Sequence, residues 1–209
     1  RRERPPRLVW RRRRDAPEEA PVHAVRAGAV RHPVHTREIP DVDERLGRGR
    51  ALNRAIGAAK GGVVCYFDVD LATDMQHLPE LVNAIRGGCD VATGSRLLPA
   101  SDIVRTGGRE IASRTYNFLV RLILGSRVYD HQCGFKAFDR EKILPILSDI
   151  RDRHWFWDTE LLVRCQRVGF RVCEFPVTWR AGKGTTVKAK DSLTMGWSIL
   201  RLWWQLHVS

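Results

Sequence analysis

No stretch of 18 uninterrupted apolar residues occurs in this 209-residue sequence, so a full membrane span is not expected. No apolar segment follows the arginine-rich start, so a signal peptide is not expected either. The five cysteines (Cys65, Cys89, Cys133, Cys165 and Cys173) include no CxxC pair and no zinc-ligand spacing, which argues against a structural metal site. Their odd number, and the apolar runs around three of them, favour buried reduced thiols in a cytoplasmic protein. Lysine is missing before Lys60, and Trp10 is the one aromatic residue among the early arginines. That pattern is weak support for a nucleic-acid arm, and no nucleic-acid partner is expected.

What is present is a net charge of +12. Residues 1–50 hold 14 arginines against 8 acids, so half of the excess sits in the first quarter of the chain. Six of the ten prolines fall within residues 1–45, where apolar residues follow neither a helical nor a strand period. This segment reads as a disordered basic tail, or as an aberrant stretch of the kind that out-of-frame translation of a GC-rich gene produces.

From Gly47 the texture changes. Leu52, Ala55, Ile56 and Ala59 recur at helical spacing and Gly61–Gly62 ends the pattern. The run Val63–Phe67 then reads as a buried central strand. A second helix carries Leu78, Leu81, Val82 and Ile85, and Asp90–Gly94 reads as another strand. A longer helix carries Ile111, Thr115, Phe118, Leu119 and Leu122. A further one carries Leu161, Leu162 and Cys165, and Val172–Val177 forms a late strand placed at an edge by Pro176. Alternating strands and helices indicate an α/β fold with an at least partly parallel sheet, whose ligands gather at strand carboxyl ends.

Asp68 and Asp70 follow the first strand directly. Carboxylates at i and i+2 in a strand-end loop can turn toward one point, where Mg²⁺ or Mn²⁺ takes oxygen ligands. A lone D-x-D is also common as a turn or helix cap.

The flanking series is more specific. It runs Leu52-Asn53-x-Ala55-Ile56, Tyr66-Phe67-Asp68-Val69-Asp70-Leu71, Thr93-Gly94-Ser95-Arg96, Asp130-His131-Gln132-Cys133-Gly134-Phe135-Lys136-Ala137-Phe138 and Trp157-Asp158-Thr159-Glu160-Leu161-Leu162. In order and spacing this resembles the family 2 glycosyltransferases of GT-A fold, in the branch of the dolichyl-phosphate mannose and glucose synthases. The resemblance covers about residues 46–190. It implies a Rossmann-like, mostly parallel sheet flanked by helices, with a truncated or replaced N-terminal part and a C-terminal amphipathic helix. The implied segments are an aberrant stretch 1–45, a partial catalytic domain 46–180, and a basic loop with a membrane-interface helix 181–209.

The resemblance also implies roles. Asp68 and Asp70 match the metal-holding D-x-D. Arg96 and Arg109 match arginines that clamp the acceptor phosphate. Asp130, Gln132, Gly134 and Lys136 match a loop lining the sugar and acceptor side. Asp158 and Glu160 match an acidic pair at a helix start, where relatives with hydroxyl acceptors place a base; on its residues alone, Asp158 reads equally as an N-cap. Arg180, Lys183 and Lys188 match a basic loop over the diphosphate, although Thr185-Thr186 replaces its usual serine-lysine pair. Ala72 stands where some mannose synthases add a glutamine ligand, and the nucleotide-binding motifs that begin the family's members do not appear in residues 1–45. The implied partners are a nucleotide sugar of GDP-mannose or UDP-glucose type, a polyprenyl phosphate and a membrane surface, met peripherally from the cytoplasmic side.

Near the C-terminus Leu193, Trp197, Leu200, Trp204 and Val208 fall on one helical face, widened by Ile199, Leu202, Trp203 and Leu206. Three tryptophans in eight residues suit a lipid headgroup region, and Lys183, Lys188 and Lys190 would favour anionic lipid there. Docking of this helix on the domain is the other reading.

Overall fold

A computed structural model describes residues 47–104, 107–180 and 189–208, with the side chains of residues 107, 109 and 189–193 excluded. All belong to one compact unit, Asp43–Ser209. The expected tail 1–45 and the basic-loop residues Lys183, Thr185, Thr186 and Lys188 lie outside the described residues, as do the side chains of Arg109, Lys190 and Leu193.

Helix α1 (Arg48–Ala58) leads to strand β1 (Val63–Phe67), and a 3-10 turn (Met75–His77) leads into α2 (Leu78–Arg86). Then follow β2 (Val91–Ser95), β3 (Asp102–Val104), α3 (Gly107–Leu124), β4 (Phe135–Asp139) and α4 (Arg140–Asp149). The remainder is α5 (Trp157–Arg167), β5 (Val172–Pro176), β6 (Thr178–Arg180) and α6 (Ala189–Val208).

The main sheet has the order β1-β4-β2-β5, and β3 pairs with β6 in a separate parallel ribbon. Strands β1, β2 and β5 share one direction, while β4 is inserted antiparallel between β1 and β2. The sheet is therefore mixed, and only the β2–β5 pairing is parallel. Two expectations change with this. Among the described strands β1 lies at an edge rather than at the centre, and Lys136, assigned by the resemblance to a ligand-lining loop, lies in an inner strand, Phe135–Asp139. The edge position expected for the strand carrying Pro176 is observed.

Side-chain alternation divides the core between the two sheet faces. Tyr66 and Phe138 pack with Ile56, Ile143, Trp157, Leu161 and Leu162 of the helices α1, α4 and α5. Phe135, Ala137 and Ala92 pack with Leu81 and Ile85 of α2 on the other face. A third cluster joins Val120 and Leu124 of α3, Val163 of α5, and Ile199 and Leu202 of α6. The face of α3 singled out by its periodicity is the outer one: Ile111, Phe118 and Leu122 are exposed, and Val120 and Leu124 do the packing.

Cys89 and Cys173 form a disulfide that joins the approach to β2 to its neighbour β5, against the expectation of five reduced thiols. Paired strands bring residues far apart in sequence into range, a proximity that cysteine spacing does not encode. Cys65, Cys133 and Cys165 are free.

Candidate active site

The carboxyl end of β1 delivers Asp68 and Asp70 into a tight turn. The Leu71 N–H donates to the Asp68 carbonyl (3.1 Å) and the Ala72 N–H to Asp70 Oδ1 (3.2 Å). Leu71 adopts φ 49°, in the left-handed region that a branched side chain rarely enters, so the turn carries local strain beside the acids. Beyond it the backbone is pinned to β6 through Arg180 N–H to Ala72 O (2.9 Å) and Asp74 N–H to Thr178 O (3.0 Å).

Asp68 also leans on β4. Its N–H donates to Gly134 O (2.8 Å), and a Cβ added to Gly134 would fall inside the Asp68 carboxylate. Gly134, which the resemblance puts in a ligand-lining loop, makes room for the Asp68 side chain.

Behind the aspartates lies a buried charge cluster. Asp158, in the first turn of α5, is 2% exposed. Its Oδ1 accepts from the Tyr66 hydroxyl and lies 3.1 Å from Lys136 Nζ, and its Oδ2 accepts from Arg48. The second Arg48 nitrogen reaches Asp68 Oδ1 (3.1 Å), so one guanidinium bridges the two acids. Burial alone would raise the pKa of Asp158, but Lys136 and Arg48 together outweigh it and hold the acid below the usual carboxylate range. Burial pushes the Tyr66 phenol well up, and the neighbouring Asp158 pushes it further.

Asp158 is not the helix cap. Phe156 occupies that position, and the Asp158 carboxylate is directed to these partners. Lys136 is fully buried, bound also to the carbonyls of His131 (3.2 Å) and Cys133, so it supports the floor and offers no open face to a substrate. Glu160 faces elsewhere: it accepts from the backbone N–H groups of Arg151 (3.2 Å) and Asp152 (2.9 Å) and pairs with Arg164 (2.8 Å). It fastens the loop before α5, which leaves no oxygen for the base role the motif suggested.

Arg96, directly after β2, forms a two-pronged pair with Asp130, at 2.7 and 2.9 Å, and its backbone N–H adds a third bond to the same acid (2.9 Å). Burial opposes ionisation of Asp130, but Arg96 wins and holds it far below the ordinary range. Asp130 is thus an internal counter-ion that aims Arg96. Gln132 is half-buried, with Nε2 3.7 Å from Met195 Sδ of α6. Arg180 is exposed and paired with Asp102, which ties the β3–β6 ribbon together. Arg109 sits near the start of α3.

The groups that sequence reasoning missed are Arg48 and Tyr66. Tyr66 carries a signal, a polar tip in an otherwise apolar strand, whereas Arg48, between Gly47 and Gly49, gains its meaning only from the acids the fold brings to it.

Among the described residues no cluster of three or more His, Cys, Asp or Glu side chains could hold a metal. Asp68 and Asp70 nevertheless fit a hard divalent ion whose other ligands come from a diphosphate and water, since the Asp68 side chain is 47% exposed and Asp70 is exposed.

Comparison with known proteins bears on the fold and the family. The chain is 57% identical over 168 residues to the glycosyltransferase AglD of Haloferax volcanii, covering 79% of this chain and 27% of that protein. It is 25% identical to a dolichyl-phosphate beta-glucosyltransferase of Drosophila melanogaster, over 90% of this chain and 61% of the relative. The chain therefore spans less than two thirds of these relatives' length. Among solved structures, glucosyl-3-phosphoglycerate synthase from Mycobacterium tuberculosis superposes with a TM-score of 0.57 in its UDP complex, at 21% identity, over 80% of this chain and 57% of that one. The same enzyme with Mn²⁺, UDP-glucose and glycerol 3-phosphate gives 0.55 at 21% identity, over 80% and 57%. These likenesses fix the fold as GT-A. Residues 41–145 match the sequence profile described as Glycosyl transferase family 2, and this chain belongs to that family of glycosyltransferases.

Proposed function

We propose that this domain transfers a hexose from a nucleotide sugar of GDP-mannose or UDP-glucose type to a polyprenyl phosphate, with inversion at the anomeric carbon. The observation that carries this reading is the pair of open carboxylates, Asp68 and Asp70, at the exit of β1, above an acid that is already fully engaged. A phosphate oxygen of the acceptor forms a bond to the anomeric carbon as the bond to the departing nucleoside diphosphate breaks on the opposite face.

Asp68 and Asp70 would hold Mg²⁺ or Mn²⁺, which when bound offsets the negative charge gathering on the leaving diphosphate. Arg96, aimed by Asp130, and Arg109 on α3 would bind the acceptor phosphate, where guanidinium forks suit phosphate oxygens. Gln132, Arg180, Lys183 and Lys188 would border the same space.

A hydroxyl acceptor needs a base with a free oxygen and a pKa near the working pH. Asp158 is capped by three partners and held acidic, and Glu160 is consumed by its loop. An acceptor phosphate is already ionised and requires no such base, which favours the lipid-phosphate reading over transfer to a hydroxyl.

The acceptor's location would be met by α6 and α3. On α6, Ile199 and Leu202 are buried, while Trp197 (70%) and Trp204 (60%) face outward with Leu200 and Val208. No helix among the described residues is long and apolar enough to cross a membrane. Contact through this helix would be peripheral, and the proposal puts it on the cytoplasmic face.

The test is incorporation of labelled sugar from GDP-mannose or UDP-glucose into dolichyl phosphate with Mn²⁺. The Asp70→Ala variant should lose roughly a hundredfold or more. Equal incorporation by both proteins would remove the metal assignment, and transfer to hydroxyl but not phosphate acceptors would remove the substrate class.

A further inference from the structure

Arg48 has no part in the transfer described above, yet it touches two of the site's acids. We propose that Arg48 is the resident counter-ion of the carboxylate site and competes with the divalent cation for Asp68. The inference rests on the assignment of the metal to Asp68 and Asp70.

Its position is fixed by packing. Gly47, with φ 74°, has no room for a side chain, since a Cβ there would meet the Arg153 carbonyl at 2.7 Å. A Cβ on Gly49 would meet Trp157 Cδ1 at 2.8 Å and the Asp152 carbonyl at 2.9 Å. The Gly49 N–H donates to Arg153 O (2.9 Å). The start of α1 is thus seated on the loop before α5, and the arginine between the glycines has a narrow choice of direction. Its guanidinium carbon lies 5.6 Å from the ring centres of both Tyr66 and Trp155, a cation–π setting on two sides.

The two acid contacts are unequal. Asp158 has a side-chain exposure of 4% and Asp68 of 47%. The buried arm is hard to release, because it would leave Asp158 with an unmatched lone pair in low dielectric. The outer arm, at 3.1 Å on Asp68 Oδ1, is the one that can yield. While it is in place it occupies an oxygen lone pair that a cation needs and sets a positive charge next to the site. Asp68 therefore has two possible cationic partners, and a divalent ion binding alone must displace the first or share the acid with it.

Mn²⁺ affinity of the full chain, read without nucleotide by the loss of the free-ion electron paramagnetic resonance signal, tests this. Arg48→Gln removes the charge, and Arg48→Lys keeps a cation for Asp158 but cannot span both acids. Arg48→Gln should bind Mn²⁺ about tenfold tighter than wild type, Arg48→Lys by a smaller factor, with the gain reduced in high salt. A merely structural arginine would give weaker or unchanged binding on removal. Wild-type affinity or weaker in both folded variants, with Asp70→Ala losing the ion, would overturn the role of Arg48 alone. If neither wild type nor any variant retains Mn²⁺, the metal assignment falls and this inference falls with it.

Discussion

Gly134 and Asp68 are distant in sequence, yet a methyl group on the first would occupy the space of the second's carboxylate. Gly134→Ala should therefore push Asp68 out of its turn and weaken Mn²⁺ binding by about tenfold or more, a loss visible in the same titration that tests Arg48. Lys136 poses the opposite problem, a full charge at zero exposure. Lys136→Met keeps the volume but strips Asp158 of one partner, and unfolding in urea should show a loss of about 3–5 kcal/mol. His131, between Asn117 Oδ1 and Ser126 Oγ at 2.7 Å each, is held neutral: burial pushes its pKa down to about 3. Its folded value lies below its unfolded one, so the unfolded chain binds the extra proton and stability drops as pH falls from the ordinary histidine range toward that value. The slope in this window should be about 1.4 kcal/mol per pH unit. Urea midpoints for wild type and His131→Gln between pH 6.5 and 4 check this, the variant giving the shallower line. Asp68 and Asp70 are legible from sequence because an apolar run stops abruptly at an acid. Arg48 is not, because an arginine near a helix start has no signature until Asp68 and Asp158 are seen on either side of it.

Elements defined by contrast are also legible. Glycine pairs end α1 and α2 close to where the sequence places their ends, and β-branched residues mark β1 and β2. Strand β4 is hidden by its own lysine: Phe-Lys-Ala-Phe-Asp lacks the clean alternation of a half-buried strand, and the acid from α5, with the carbonyls of His131 and Cys133, makes a lysine tolerable at that position. Helix α6 has one face docked, as the docking reading expects, and the other open, where the proposed membrane contact would fall. The two are separable by substitution. Trp197→Ala with Trp204→Ala should lower sedimentation with anionic vesicles several-fold while leaving the melting temperature near wild type. Ile199→Ala, buried at 1% exposure, should instead cost about 2–4 kcal/mol of stability in urea.

Across the whole molecule the sheet is closed at one edge by a covalent link. The Cys89–Cys173 bridge spans 84 residues and encloses β2, β3, α3, β4, α4 and α5. Replacing both cysteines by serine should lower stability by about 2–5 kcal/mol under non-reducing conditions, and an equal midpoint for the two proteins would count against the bridge in solution. The third hydrophobic cluster has a mechanical consequence. Val163 lies on the helix that begins beside Asp158, and it packs in the same cluster as Ile199 and Leu202 of α6. Under the proposed function, a helix lying among headgroups and the floor of the sugar pocket would thereby be geared together. A change in the tilt of one would turn the other as a lever turns its load, so the height at which a lipid phosphate is met would be built into the domain and would not need to be found anew at each encounter.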